Sequence, residues 1–173
     1  MKKLILIVLA VTLVLGCSKD DDNKSSGTTL EGTWKLTSFT VETAYDLNED
    51  GTATNDVMAE TNCYQNETIE FESNNSGTLV SRSYADISLD LVIGTTNDYE
   101  YTVTCVQQND ETAFTWSKSG NSVTITVSGV PFTATLSGNT LTLVIPQGYT
   151  VEVEQGNGTA FVTEDITYVF TKQ

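Results

Sequence analysis

The chain of 173 residues carries 23 acidic against 8 basic side chains, a formal charge of −15, and contains no histidine. Such a surface repels nucleic acid and anionic headgroups and suits divalent cations, while the missing histidine removes the commonest general base and metal ligand. The length allows one domain with a substantial core and is too short for two.

Lys2 and Lys3 precede an apolar run from Leu4 to Leu15 broken only by Thr12. That pattern reads as a signal peptide over residues 1–16, too short to span a bilayer. The run ends in "VLGC", Val14 to Cys17, which resembles the lipobox of bacterial lipoproteins. The resemblance implies that Cys17 becomes the lipidated first residue of the mature protein, with the membrane as its partner through several acyl chains, since one chain gives only marginal attachment. Residues 17–29, "CSKDDDNKSSGTT", lack large apolar side chains and read as a flexible tether. "SKDDD" also resembles the acidic signal that sends lipoproteins to the cell surface in one group of Gram-negative bacteria, although any solvated linker of this composition would look similar. The expected location is the outer membrane, at the cell surface.

Residues 30–173 form the expected folded domain, and β-strand alternation begins at once with Thr33 to Thr43. The next segment, "YDLNEDGTATND", places Asp46, Asn48 and Asp50 at the first, third and fifth positions of a twelve-residue calcium loop. Gly51 stands at the sixth, where the chain must turn sharply, and Thr52 offers its carbonyl at the seventh. The twelfth position is Val57 instead of a bidentate glutamate, so Asp56 or Glu60 has to supply that carboxylate. The preceding strand and the lack of a second copy exclude a helix-loop-helix hand and a dockerin. The stretch is either a lone calcium loop, with an affinity of about 0.1 to 1 mM, or an acidic Asp-Gly turn.

Removing Cys17 for lipid leaves Cys63 and Cys105, an even pair in an oxidising compartment, expected as a disulfide with two free thiols as the alternative. Further strands are expected at Thr68 to Glu72, Thr78 to Ser83, Tyr99 to Val106 and Thr112 to Ser117. "SVTITVSG", "PFTATLSG" and "NTLTLVIPQG" alternate most clearly, with Val123, Ile125, Val127, Phe132, Ala134, Leu136, Leu141, Leu143 and Ile145 on one side. Ser119-Gly120, Ser128-Gly129 and Ser137-Gly138 separate these strands as hairpin turns. Tyr149 to Glu154 and Ile166 to Thr171 complete eight to ten strands. The reading is an all-β, antiparallel barrel of meander topology, favoured over a sandwich because closure removes exposed edges.

Gly32, Thr33 and Trp34 match the Gly-X-Trp signature that opens the first strand of lipocalins. Together with the lipobox, "CYQNETIEFESNNSGTLVS", "FTWSKSGNSVTIT" and "FTATLSGNTLTL", the chain resembles the lipocalin-like domain family of bacterial lipoproteins over most of residues 30–172. The resemblance implies that Trp34 closes one end of the barrel. Lipocalins often lay a late-strand arginine across this tryptophan; here the only arginine is Arg82, and the late strand offers Lys172.

Three functions follow. The first is a non-enzymatic lipoprotein whose barrel carries the calcium loop. The second is a binding module for a small apolar ligand or a glycan at the barrel mouth, favoured by exposed aromatics among Tyr45, Tyr64, Tyr84 and Tyr149. The third, an enzyme with paired carboxylates, has no identifiable pair, and Glu152, Glu154, Glu164 and Asp165 read as a solvated face. No enzyme is expected. An eight-stranded barrel either fills its interior with side chains or holds one small ligand, and spacing alone leaves both open.

Overall fold

The computed structural model describes residues 29–96, 99–155 and 158–173; the expected signal peptide, Cys17 and the expected tether up to residue 28 lie outside the described residues. Nine strands and one short helix follow in order: β1 (Gly32–Tyr45), β2 (Thr54–Asp56), α1 (Val57–Glu60), β3 (Thr68–Phe71), β4 (Ser76–Leu91), β5 (Tyr99–Ser119), β6 (Ser122–Val127), β7 (Val130–Ser137), β8 (Thr140–Gln155) and β9 (Gly158–Lys172). From β3 to β9 each strand pairs antiparallel with the next, and β1 pairs with both β3 and β9. Eight strands therefore close into a barrel, and β2 lies alongside the outer part of β1. This is the expected meander.

The first strand seats the core on both sides of a bulge. Trp34 and Leu36 point inward, the register with β9 shifts between Leu36 and Ser38, and the inward phase resumes at Phe39 and Val41. One extra residue reverses which alternation faces the core. The later strands follow their expected phase, with Val123, Ile125, Ala134, Leu136 and Leu141 buried. Their turns fit the twist of the hairpins, since Ser128 and Gly129 both take positive φ and Gly120 and Gly138 take it at the first turn position.

Two pairs of expected short strands are each one long strand. Residues 99–106 and 112–117 are continuous in β5: "QQNDE" stays in the strand, paired with β4 at Gln107, Asp110 and Glu111 and bulging at Gln108 and Asn109 opposite Arg82. In β8 the segment "PQG" between the two expected strands is a bulge between Ile145 and Tyr149. Pro146 has no amide to donate, Gln147 takes a φ of 53°, and its amide donates to Asp165 Oδ1 at 2.9 Å.

Trp34 is fully buried at the closed end of the barrel, where its indole N–H donates to the Leu30 carbonyl at 2.7 Å. Lys172 Nζ lies 5.5 Å from the ring centroid, a cation–π distance, and donates to the Thr29 carbonyl and, at 3.1 Å, to its hydroxyl. The late-strand lysine thus sits over the tryptophan. Above this end Gly77 faces Phe71 on one neighbour and Phe114 on the other. A Cβ there would stand 2.2 Å from Phe114 Cζ and 2.3 Å from the Glu70 carbonyl, so only glycine allows the Phe114 ring to lie over the backbone.

Glu164 departs from its reading as part of a solvated face, being only 4 % exposed. From β9 it reaches the outer half of β1, accepting from the amides of Glu42 and Thr43 at 3.1 Å each, from the Thr43 hydroxyl, and from the Tyr45 hydroxyl at 3.3 Å. These bonds replace strand pairing beyond Thr40, the last residue of β1 paired with β9. Burial alone would raise its pKa, but the bonds from Thr43, Tyr45 and Glu42 outweigh it and hold the carboxyl below its ordinary value.

Gly77→Ala should destabilise the fold by about 1–3 kcal/mol, read as a lower urea midpoint at unchanged slope. Because the folded pKa of Glu164 is depressed, its stabilisation is present above the ordinary value of 4.5 and is lost as pH falls through the lower folded value. Glu164→Gln should therefore lower the thermal midpoint at neutral pH, with the gap to wild type narrowing as the pH is taken well below 4.5; a constant gap would remove the charge from the explanation.

Candidate functional site

The strands differ in length in a way that shapes an opening. Only Thr115 to Ser119 of β5 pair with β6, and β8 pairs with β7 only from Thr140 to Leu143. Beyond those positions β5 pairs with β4 and β8 with β9. Two long hairpins thus extend past the barrel, and the short β6–β7 hairpin, turning at Ser128 and Gly129, leaves the wall low between them.

Inside the barrel is a cavity of about 350 Å³. Its walls are mainly apolar, including Leu36, Ile69, Ile125, Leu143, Phe132 and Phe170. The interior is therefore hollow above the Trp34 end, with a volume in the range of small-molecule sites. Leu143, Ile145, Val127 and Phe132 are only half-buried, as expected for walls beside the low hairpin.

One part of the lining is polar: Tyr64, Glu67, Ser81 and Tyr168. Glu67, 5 % exposed, sits beside a bulge in the β4–β5 pairing, where Gln108 and Asn109 of β5 stand opposite Arg82 of β4 between the pairs Ser81–Asp110 and Ser83–Gln107. Two β4 amides lie past the last β3–β4 pair, Thr68–Val80, and Glu67 accepts from both, Arg82 N at 2.7 Å and Ser83 N at 3.0 Å. The Ser83 hydroxyl, which accepts from Tyr64 N at 3.0 Å, also lies 3.3 Å from Glu67 Oε1. Each carboxylate oxygen is thus held as an acceptor by backbone that would otherwise be unpaired.

Tyr64 meets Phe39 edge-on and Tyr168 packs against it at a tilt, with centroids 5.1 and 4.9 Å away. Burial pushes the Tyr64 phenol up, and the charge of Glu67 adds to this against a bond from the Ala85 amide. Tyr168 is pushed up to about 12, first by burial and then by Tyr64. Both therefore stay neutral hydroxyls at physiological pH. The Tyr168 hydroxyl has no protein partner among the described residues.

The connection from β1 to β3 carries the acidic loop. Asp46 accepts from the amides of Asp50 and Gly51 at 3.0 and 2.9 Å, Asn48 Oδ1 from Asp50 N at 2.9 Å, and Asp50 Oδ1 from Thr52 N at 2.8 Å. Glu49 and Gly51 take positive φ, which curls the loop. Asp46, Asn48, Asp50 and Thr52 are therefore brought together. Asp56 is not among them: it caps α1 through Met58 N at 2.9 Å and accepts from the Ser38 hydroxyl at 3.0 Å. Glu60, 4 % exposed, instead clasps the loop ends, taking Leu47 N at 3.0 Å and Thr54 N at 3.1 Å. Among the described residues no three acidic, cysteine or histidine side chains converge as a metal cluster.

Cys63, fully buried after α1, is disulfide-bonded to Cys105 of β5, with Cα atoms 5.3 Å apart. A separation of 42 residues corresponds to a stabilisation of roughly 4 kcal/mol in the chain-entropy model. The bond ties the connection that carries Tyr64 and Glu67 to a long hairpin. Of the tyrosines expected at the mouth, Tyr84 is exposed, Tyr45 and Tyr149 are half-buried, and Tyr64 lines the cavity. Sequence reasoning missed Glu67, whose position directly before a strand carries no signal of a bulge in the β4–β5 pairing.

Residues 30–143, well over half of the chain, match the family model described as a lipocalin-like domain. No curated protein and no solved structure matches the chain.

Proposed function

Because the chain belongs to the lipocalin-like domain family, we propose that its barrel is a non-enzymatic binding module that takes a small apolar ligand into the interior cavity. The observation that carries this reading is the hollow of about 350 Å³ with mainly apolar walls, beside a low stretch of barrel wall. An apolar ligand gains roughly 25 cal/mol for each Å² it removes from water, and walls held by barrel strands are already in place to receive it. The commitment of Glu60, Glu67 and Glu164 to backbone amides supports a carrier over an enzyme. The "VLGC" segment supports lipid anchoring at Cys17 and outer-membrane, cell-surface placement.

The test is fluorescence of the neutral probe N-phenyl-1-naphthylamine, which should brighten on saturable binding. Leu143→Trp, which fills the cavity from its wall, should weaken binding by about tenfold or more while the protein still unfolds cooperatively. Equal binding by this variant would place the probe elsewhere.

A calcium ion in the Asp46–Thr52 loop is the second part of the proposal, supported by the convergence of two carboxylates and the Asn48 amide oxygen on one curled segment. Asp46, Asn48 and Asp50 would supply side-chain oxygens and Thr52 its carbonyl. The commitment of Asp56 and Glu60 elsewhere leaves the ligand set short and points to weak binding. If the dissociation constant is near 0.1 mM, calcium at about 10 mM should stabilise the fold by roughly 2.7 kcal/mol. The thermal midpoint in calcium should exceed that in chelator, and Asp46→Ala should abolish the difference. Equal midpoints for wild type would return the loop to an acidic turn.

A further inference from the structure

Resting on the cavity reading above, we propose that the barrel discriminates by headgroup: it takes apolar ligands ending in a neutral or cationic hydrogen-bond donor and rejects those ending in a carboxylate. The basis is the composition of the polar part of the lining. Tyr64, Glu67, Ser81 and Tyr168 are its polar residues, and no lysine or arginine lines the cavity. Glu67 is held as an acceptor on both oxygens by the amides of Arg82 and Ser83. Those amides lie on β4 opposite the β5 bulge and past the end of the β3 pairing, so the carboxylate cannot swing away without leaving backbone donors unpaired.

Three consequences follow from this geometry. A carboxylate ligand approaching this end would bring a second negative charge toward a fixed, buried one with no cation in the wall, and like charges in a low-dielectric site repel strongly. An ammonium or hydroxyl end can donate to Glu67, since a carboxylate offers about four lone-pair sites and the protein donors at Glu67 number three. The Tyr168 hydroxyl, without a protein partner among the described residues, is available to an alcohol as donor or acceptor. The Ser81 oxygen already receives Gln108 Nε2 at 2.5 Å; its O–H remains a donor but brings no charge to offset that of Glu67.

The experiment displaces N-phenyl-1-naphthylamine from the soluble domain with decylamine, decanol and decanoate at neutral pH. Physiological salt limits the reach of surface charge to about 8 Å. Decylamine and decanol should each compete at least about tenfold better than decanoate, a difference of about 1.4 kcal/mol. Glu67→Gln, which keeps one oxygen acceptor for those amides, should bring decylamine and decanoate to within about threefold of each other. Should that variant not fold, the wild-type ratio is measured again at about 1 M salt, where the screening length falls to about 3 Å. Discrimination that survives supports the buried carboxylate, and discrimination that disappears assigns it to the acidic surface and overturns the proposal. Decanoate competing as well as decylamine overturns the headgroup rule and leaves the apolar site standing. Failure of all three, with no probe binding, overturns the site itself and the rule with it.

Discussion

Closure of the sheet through β1 is the constraint on which the remaining structure depends. That strand serves two partners, β3 along Gly32 to Lys35 and β9 from Trp34 to Thr40. The bulge after Leu36 lets it do so while keeping Trp34, Leu36, Phe39 and Val41 inward. Without this double pairing β3 and β9 would each present an open edge, and the interior would not exist as an enclosed space. Trp34 stands at the start of that strand, bonded to Leu30 and covered by Lys172, so the same residues close the sheet and seal one end.

The chain is strongly acidic, and it uses buried carboxylates as structural acceptors. Glu60, Glu67 and Glu164 are each nearly inaccessible, and each bonds to backbone amides that regular pairing leaves free. The three places are irregular ones: the ends of a loop, a bulge, and the part of β1 beyond its pairing with β9. A glutamate with two oxygens can serve two adjacent amides at once, which suits such breaks in a ladder. The same device gives the cavity its character, because the carboxylate that binds the β4 backbone opposite the β5 bulge also lines the hollow.

Unequal hairpins decide how the interior meets solvent. The β4–β5 and β8–β9 hairpins run well past the level at which β6 and β7 turn, and the disulfide holds the β1–β3 connection to the first of them. The cavity is thus closed at the Trp34 end and bordered elsewhere by half-buried walls and by the segment carrying Tyr64 and Glu67. The interior is thereby divided into a sealed base and a border that carries its polar side chains.

Much of the architecture was legible in the residues. Alternation in "SVTITV" and "FTATL", the Ser-Gly turns and the Gly-X-Trp start are local signals, because the side-chain period of a strand and the φ of a turn are set within a few residues, and the cysteine pair was legible from its even count. The spacing of Trp34, Leu36, Phe39 and Val41 even records the bulge. Tertiary structure alone decided that Glu164 is buried, since its partners on β1 lie 121 and 122 positions away. It alone decided that Gly77 must lack a side chain, because Phe114 crosses it from another strand. It also joined "QQNDE" into one strand, made "PQG" a bulge, and left the barrel hollow. Each of those outcomes depends on which distant groups face one another after closure, and no window along the chain contains both partners.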